Sequence, residues 1–150
     1  MPEFKASPPP AARPFELPVS ALFGDRHIDA EHQVLVDILN GTIADFGSSG
    51  RLPSTRFAHD VAHLLDHLKQ HFDHEEQLMT AARYPGLATH RANHGCVLAK
   101  VSALRMEALQ QTEIDKEPVF DLFDQVLDDL LRADLPFKAF LDANGLTGKA

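Results

Sequence analysis

In HFDHEEQLM, residues 71–79, two histidines and two glutamates fall within six positions, between residues suited to a core. His71 and Glu75 stand four apart, as do His90 and His94 in HRANH (90–94). On a helix that spacing sets each pair on one face. Imidazole nitrogens and carboxylate oxygens without any thiolate are ligands suited to iron, manganese or zinc. The chemistry to test for is therefore cation binding inside a helical protein.

The elements that would position these groups follow from the punctuation of the chain. Proline and glycine leave helical windows at about 28–46, 54–83, 87–110 and 117–132, with a short helix near 136–143. GSSGRLPS (47–54), YPG (84–86) and TEIDKEP (112–118) are the breaks, and no alternating run competes as a strand. Long helices joined by short connections predict an all-α, up-down-up-down antiparallel four-helix bundle. Residues 1–18, with six of the ten prolines, read as an extended arm, and 19–150 as the bundle.

Within the windows, apolar residues recur at alternating steps of three and four. The second helix presents Phe57, Val61, Leu64, Leu68, His71, Glu75, Leu78 and Ala82, and the third Leu87, His90, His94, Val97, Val101, Leu104 and Ala108. The first presents Ile28, His32, Leu35, Leu39, Thr42 and Phe46; the fourth, Phe120, Phe123, Leu127, Leu130 and Asp134. Each stripe thus carries at least one metal-ligating type at a core position: His32, His71, Glu75, His90, His94 and Asp134. Burying such groups without partners costs about 1–3 kcal/mol for each neutral one and more for each carboxylate. A bound cation removes most of that cost.

The neighbouring polar residues have plainer readings. His59, His63 and His74 lie off the stripe, as surface or supporting groups; His67 sits at its edge; Asp73 and Glu76 read as solvated; Phe72 and Met79 read as packing around the site. His27 precedes the first helix and is open to either reading. Arg91 occupies the position at which a zinc-protease helix needs its glutamate, no Glu-x-x-His pair occurs twice, and phosphate-loop and nucleophile-elbow patterns are lacking. A formal charge of −8 argues against nucleic acid or an anionic membrane as partner. The lone Cys96, with no secretory-type run and no 18-residue apolar span, leads to the expectation of a cytoplasmic protein, as monomer or homo-oligomer.

The stretches IDAEHQVLVDILN (28–40), HFDHEEQLM (71–79), YPGLATHRANH (84–94) and DLLRADLPFKAFL (129–141) together resemble the hemerythrins, in particular single-domain bacterial ones. That family is itself a standing example of the bundle architecture. The resemblance implies a non-haem di-iron centre, oxo- or hydroxo-bridged, that binds O2 or another small diatomic or peroxide ligand reversibly for storage, delivery or sensing. Manganese is the alternative metal. His32 and His71 would hold one ion, His90 and His94 the other, and Glu75 and Asp134 would bridge them. Leu35, Phe72, Met79 and Val97 would wall a dry pocket.

One position departs from the family pattern, which supplies a fifth histidine five residues before the bridging aspartate. Asp129 stands there, and all nine histidines of this chain lie between positions 27 and 94. Asp129 is expected to ligate in its place, directly or through a water, rather than turn away. An added carboxylate would stabilise the oxidised metals. An open position would instead favour oxidase or peroxidase-like chemistry. Phe15 stands about where the family often has Trp, and His67 where it has Tyr.

Overall fold

The computed structural model describes residues 15–146; residues 1–14, most of the expected arm, and 147–150 lie outside the described residues. Four helices make up the body: α1 (Arg26–Ala44), α2 (Ser54–Ala81), α3 (Leu87–Ala108) and α4 (Lys116–Ala143). They pack against one another as the expected all-α bundle.

α1 starts where Asp25 caps it, its carboxylate accepting from the backbone N–H groups of His27 at 2.9 Å and Ile28 at 3.0 Å. Asp29 then reaches back to accept from Phe23 and Gly24, fixing the entering chain. Gly24 takes a φ of 86°, which its lack of a Cβ makes cheap. Behind this turn, Phe23 is buried against Phe137, with ring centroids 5.8 Å apart.

At one end of the bundle the sequence reading missed a small pairing. Strands β1 (Arg51–Pro53) and β2 (Glu113–Asp115) form an antiparallel ladder that buries Leu52 opposite Ile114. Three-residue strands have no room to show a period, so both read as loop. The ladder ties the α1–α2 connection to the α3–α4 connection, and Ser54 N–H adds a bond to the Thr112 carbonyl at 3.0 Å. At the opposite end, α2 stops at Arg83, whose φ is 57°, and Tyr84 N–H bonds back to the Met79 carbonyl. Gly86 then opens α3, in a space where a Cβ would fall 2.6 Å from the Tyr84 ring.

α4 corrects a second expectation. The sequence windows place a fourth helix at about 117–132 and a short one near 136–143, yet the helix runs unbroken from Lys116 to Ala143 with Pro136 inside it. An interior proline costs about 3 kcal/mol. Past it, however, Phe137 and Leu141 continue the buried stripe of Leu130 and Asp134, and each buried side chain of that size contributes about 1.5–3 kcal/mol. Burial thus offsets the lost hydrogen bond, and α4 extends past the level of Asp134.

The core is divided in two. The larger part includes Leu35, Leu39, Phe57, Leu64, Val101 and Phe123; the smaller gathers Phe23, Ile28, Met79, Phe137 and Leu141. The polar residues of the four stripes lie between them. Phe15 belongs to the larger part, stacked 5.2 Å from Phe120, with its backbone N–H and carbonyl both bonded to the Asn40 side chain. The chain before α1 is therefore docked by residue 15.

Candidate metal centre

All six stripe residues of ligating type are buried: His32, His71, His90 and His94 at 1–4% exposure, Asp134 at 2% and Glu75 at 0%. The helices deliver them to one layer as two sets of four. His32 and His71, from α1 and α2, face Glu75 and Asp134; His90 and His94, from α3, face the same two carboxylates. Within each set the candidate ligand atoms all lie within 4.8 Å of one another.

The two carboxylates divide their oxygens between the sets. Glu75 turns Oε2 to His71 Nε2 at 3.5 Å and His32 Nε2 at 3.9 Å, while its Oε1 meets His90 Nε2 at 2.7 Å and His94 Nε2 at 2.9 Å. Asp134 does the same, with Oδ2 at 3.0 Å from His32 Nε2 and Oδ1 at 3.0 Å from His90 Nε2. The paired imidazoles match across the site, with ring centroids 4.5 Å apart for His32 and His71 and 4.4 Å for His90 and His94. Each carboxylate thus spans both sets, an arrangement suited to two cations sharing two bridging ligands.

Protein contacts alone do not satisfy this layer. Among the described residues, His32 Nε2, His71 Nε2, Glu75 Oε2 and Asp134 Oδ2 are buried side-chain atoms without a hydrogen bond of acceptable geometry. Four such atoms converging in one set would cost several kcal/mol if left so. Two imidazole nitrogens and two carboxylate oxygens are a donor set that a divalent or trivalent iron fits.

Electrostatics point the same way. Burial alone would depress the His71 imidazole, but the Glu31 and Glu75 carboxylates push it up to about 9. His90 is likewise held at about 9 against its burial, by Asp134 and Glu75. Burial favours the neutral form of Glu75, yet His71, His90 and His94 hold its carboxyl well below the ordinary range.

Outside this layer stand two carboxylates: Glu31, which its sequence position does not mark, and Glu76, which reads as solvated. Glu31 Oε1 accepts from His71 Nδ1 at 3.0 Å, and Glu76 Oε2 accepts from His94 Nδ1 at 2.7 Å. Each fixes its imidazole so that Nε2 points inward. Glu76 was read as solvated, but it also accepts from Arg91, and its carboxyl is held low, against burial, by His94 and Arg91. Glu31 is held low in the same way by His71 and His74. The only sequence signal was adjacency, since each immediately follows or precedes a buried ligating residue.

The expected wall residues Leu35, Phe72, Met79 and Val97 are all buried, and Phe72 stacks on His94 at 3.8 Å with the rings 7° from parallel. His59 and His63 are exposed, and His67 is half-buried against His63. Asp129, expected to ligate directly or through a water, lines the edge of the site beside His94 and Asp134. Its side chain is 44% exposed and lies 3.4 Å from Lys100 Nζ, outside both sets. Five residues turn it about 140° around the helix from Asp134. Asp129 lines a surface cleft of about 380 Å³ together with His94, Asp134, Asn93, Cys96 and Lys100.

Comparison with known proteins places the chain in a family. The model of the hemerythrin HHE cation binding domain matches residues 24–133, ending one residue before Asp134. Myohemerythrin-1 of Phascolopsis gouldii is 31% identical over 108 residues, covering 68% of this chain and 82% of that protein. No solved structure matches.

Proposed function

The chain belongs to the hemerythrin family, and from that premise we propose that His32, His71, Glu75, His90, His94 and Asp134 hold two iron ions and that the protein binds O2 reversibly, for storage, delivery or sensing. A non-haem di-metal site with O2-binding chemistry is the family's general property. The observation that carries the particular ligand set is the division of the oxygens of Glu75 and Asp134 between two imidazole pairs. Two irons so held would supply reversible exchange of electrons with a bound small molecule.

The residues of this chain set the conditions for that chemistry. Glu31 and Glu76 hold Nδ1 of His71 and His94, so each ring keeps its Nε2 lone pair for a metal. Phe72 locks the plane of His94. The apolar clusters on either side of the polar layer shield it from bulk water except at the cleft beside His94 and Asp134.

A second reading, a di-metal oxidase or peroxidase-like enzyme, is favoured by the cleft at His94 and Asp134, through which a substrate could approach the His90/His94 side. Visible spectra of the anaerobically reduced, iron-loaded protein before and after air, and again after O2 is removed, separate the readings. A reversible change supports O2 binding. Irreversible oxidation, with turnover of peroxide and a reductant, supports the enzyme. Purified protein that takes up no iron would refute both.

A further inference from the structure

On the outer side of Glu31 lies a second convergence of ligand atoms that the buried centre does not use. We propose that Nε2 of His27, Oε2 of Glu31 and Nδ1 of His74 form a peripheral binding site for a divalent zinc ion, completed by water and linked to the buried centre through Glu31.

His27 and Glu31 are one turn apart on α1, and His74 comes from α2. The three candidate atoms lie within 4.8 Å of one another. His27 Nε2 is 3.5 Å from Glu31 Oε2, close to the about 3.3 Å between ligand atoms of a tetrahedral zinc site. His74 Nδ1 bonds the same oxygen directly, and the His27 and His74 rings are 5.0 Å apart. One carboxylate oxygen thus faces two imidazole nitrogens. Two histidines and a glutamate, with a fourth position for water, form an established zinc donor set.

The site is open where the other is closed. The side chains of His27 and His74 are 70% and 40% exposed, so a hydrated ion can reach them. Glu31 is 18% exposed and fixed by its inward bond to His71 Nδ1, which holds Oε2 toward the other two ligands. The same carboxylate gives the site a consequence. Zinc on Oε2 draws electron density from Oε1, weakens its grip on the His71 N–H and makes His71 a poorer donor. Only this coupling rests on His71 holding a buried ion; the peripheral site stands on its own residues.

The test is equilibrium dialysis of the tag-free, iron-loaded protein against zinc, with iron and zinc measured in the same samples. The expected result is one zinc per chain with iron content unchanged. His27→Ala and His74→Gln should each weaken zinc binding by more than the roughly 10–100-fold typical of losing an outer partner, with iron retained. No zinc uptake, uptake only at the expense of iron, or wild-type affinity in both variants would overturn the proposal. If iron alone failed to load while zinc bound and was lost in His27→Ala, the buried reading would fall and this one would stand.

Discussion

Replacing Glu75 by glutamine tests the bridging geometry most directly, because one side chain faces both imidazole pairs. The amide keeps the shape of the carboxylate but removes an anionic ligand from each set. Losing even an outer partner of a metal ligand costs 10–100-fold in affinity, or about 1.4–2.7 kcal/mol, and a direct ligand costs at least that for each ion. With both ions affected, about 3–5 kcal/mol of metal-dependent stabilisation should vanish. For a chain of this size each kcal/mol corresponds to about 2–4 °C in Tm, so the rise in Tm on adding iron should shrink by about 6–20 °C. Comparing the metal-induced rise, rather than Tm itself, cancels the effect of the substitution on the metal-free fold. Elemental analysis should show both irons reduced together. If Glu75→Gln kept two irons per chain and the full Tm rise, the shared-carboxylate arrangement would be wrong.

Other residues give separable outcomes. Glu76→Gln removes the charge behind His94 Nδ1 and should weaken metal on the His90/His94 side by about 10–100-fold, leaving about one iron per chain at limiting supply. Asp129→Asn should leave iron content unchanged, since that carboxylate pairs with Lys100; a loss of iron would restore it as a ligand. His71 and His90, held at about 9 in the metal-free chain, contribute stability that is fully present below the ordinary value of 6.5 and lost as pH rises through 9. Metal must displace those protons, so calorimetry in buffers of differing ionisation heat should find about two protons released per chain at pH 7. Asp60 is raised from 3.8 to about 6 by burial and by the neighbouring Asp45 carboxylate, so its contribution is present below 3.8 and lost as pH rises through 6. Asp60→Asn should therefore gain in Tm over wild type between pH 4 and 7, and a difference independent of pH would contradict this.

Most of the bundle was legible because burial imposes a period. Every ligating residue placed on a stripe is buried, since the three-and-four spacing that locates Leu35 or Leu64 also locates His32 and His71. Glu31 and Glu76 escaped the same logic. A carboxylate one position off the stripe looks identical whether water or a neighbouring imidazole meets it, and only the rotation of packed helices decides. The β1–β2 ladder escaped because its partners are some sixty residues apart in the chain and each too short to show alternation.

α4 shows where local rules lose to packing and what that does to the site. Read locally, a proline at 136 ends the fourth helix near Asp134; in the bundle, Phe137 and Leu141 continue the buried stripe and the helix runs on through it. That continuation matters to the chemistry, because the smaller apolar cluster beside the polar layer draws on residues past the proline: Phe137 and Leu141 from α4 join Met79 from α2 and Phe23 from the entering chain. A helix that frayed at Pro136 would leave Asp134 near a free end and open to water. The same helix sets Asp129 about 140° away from Asp134, beside Lys100. Both the seating of Asp134 and the contact of Asp129 with Lys100 follow from one unbroken α4.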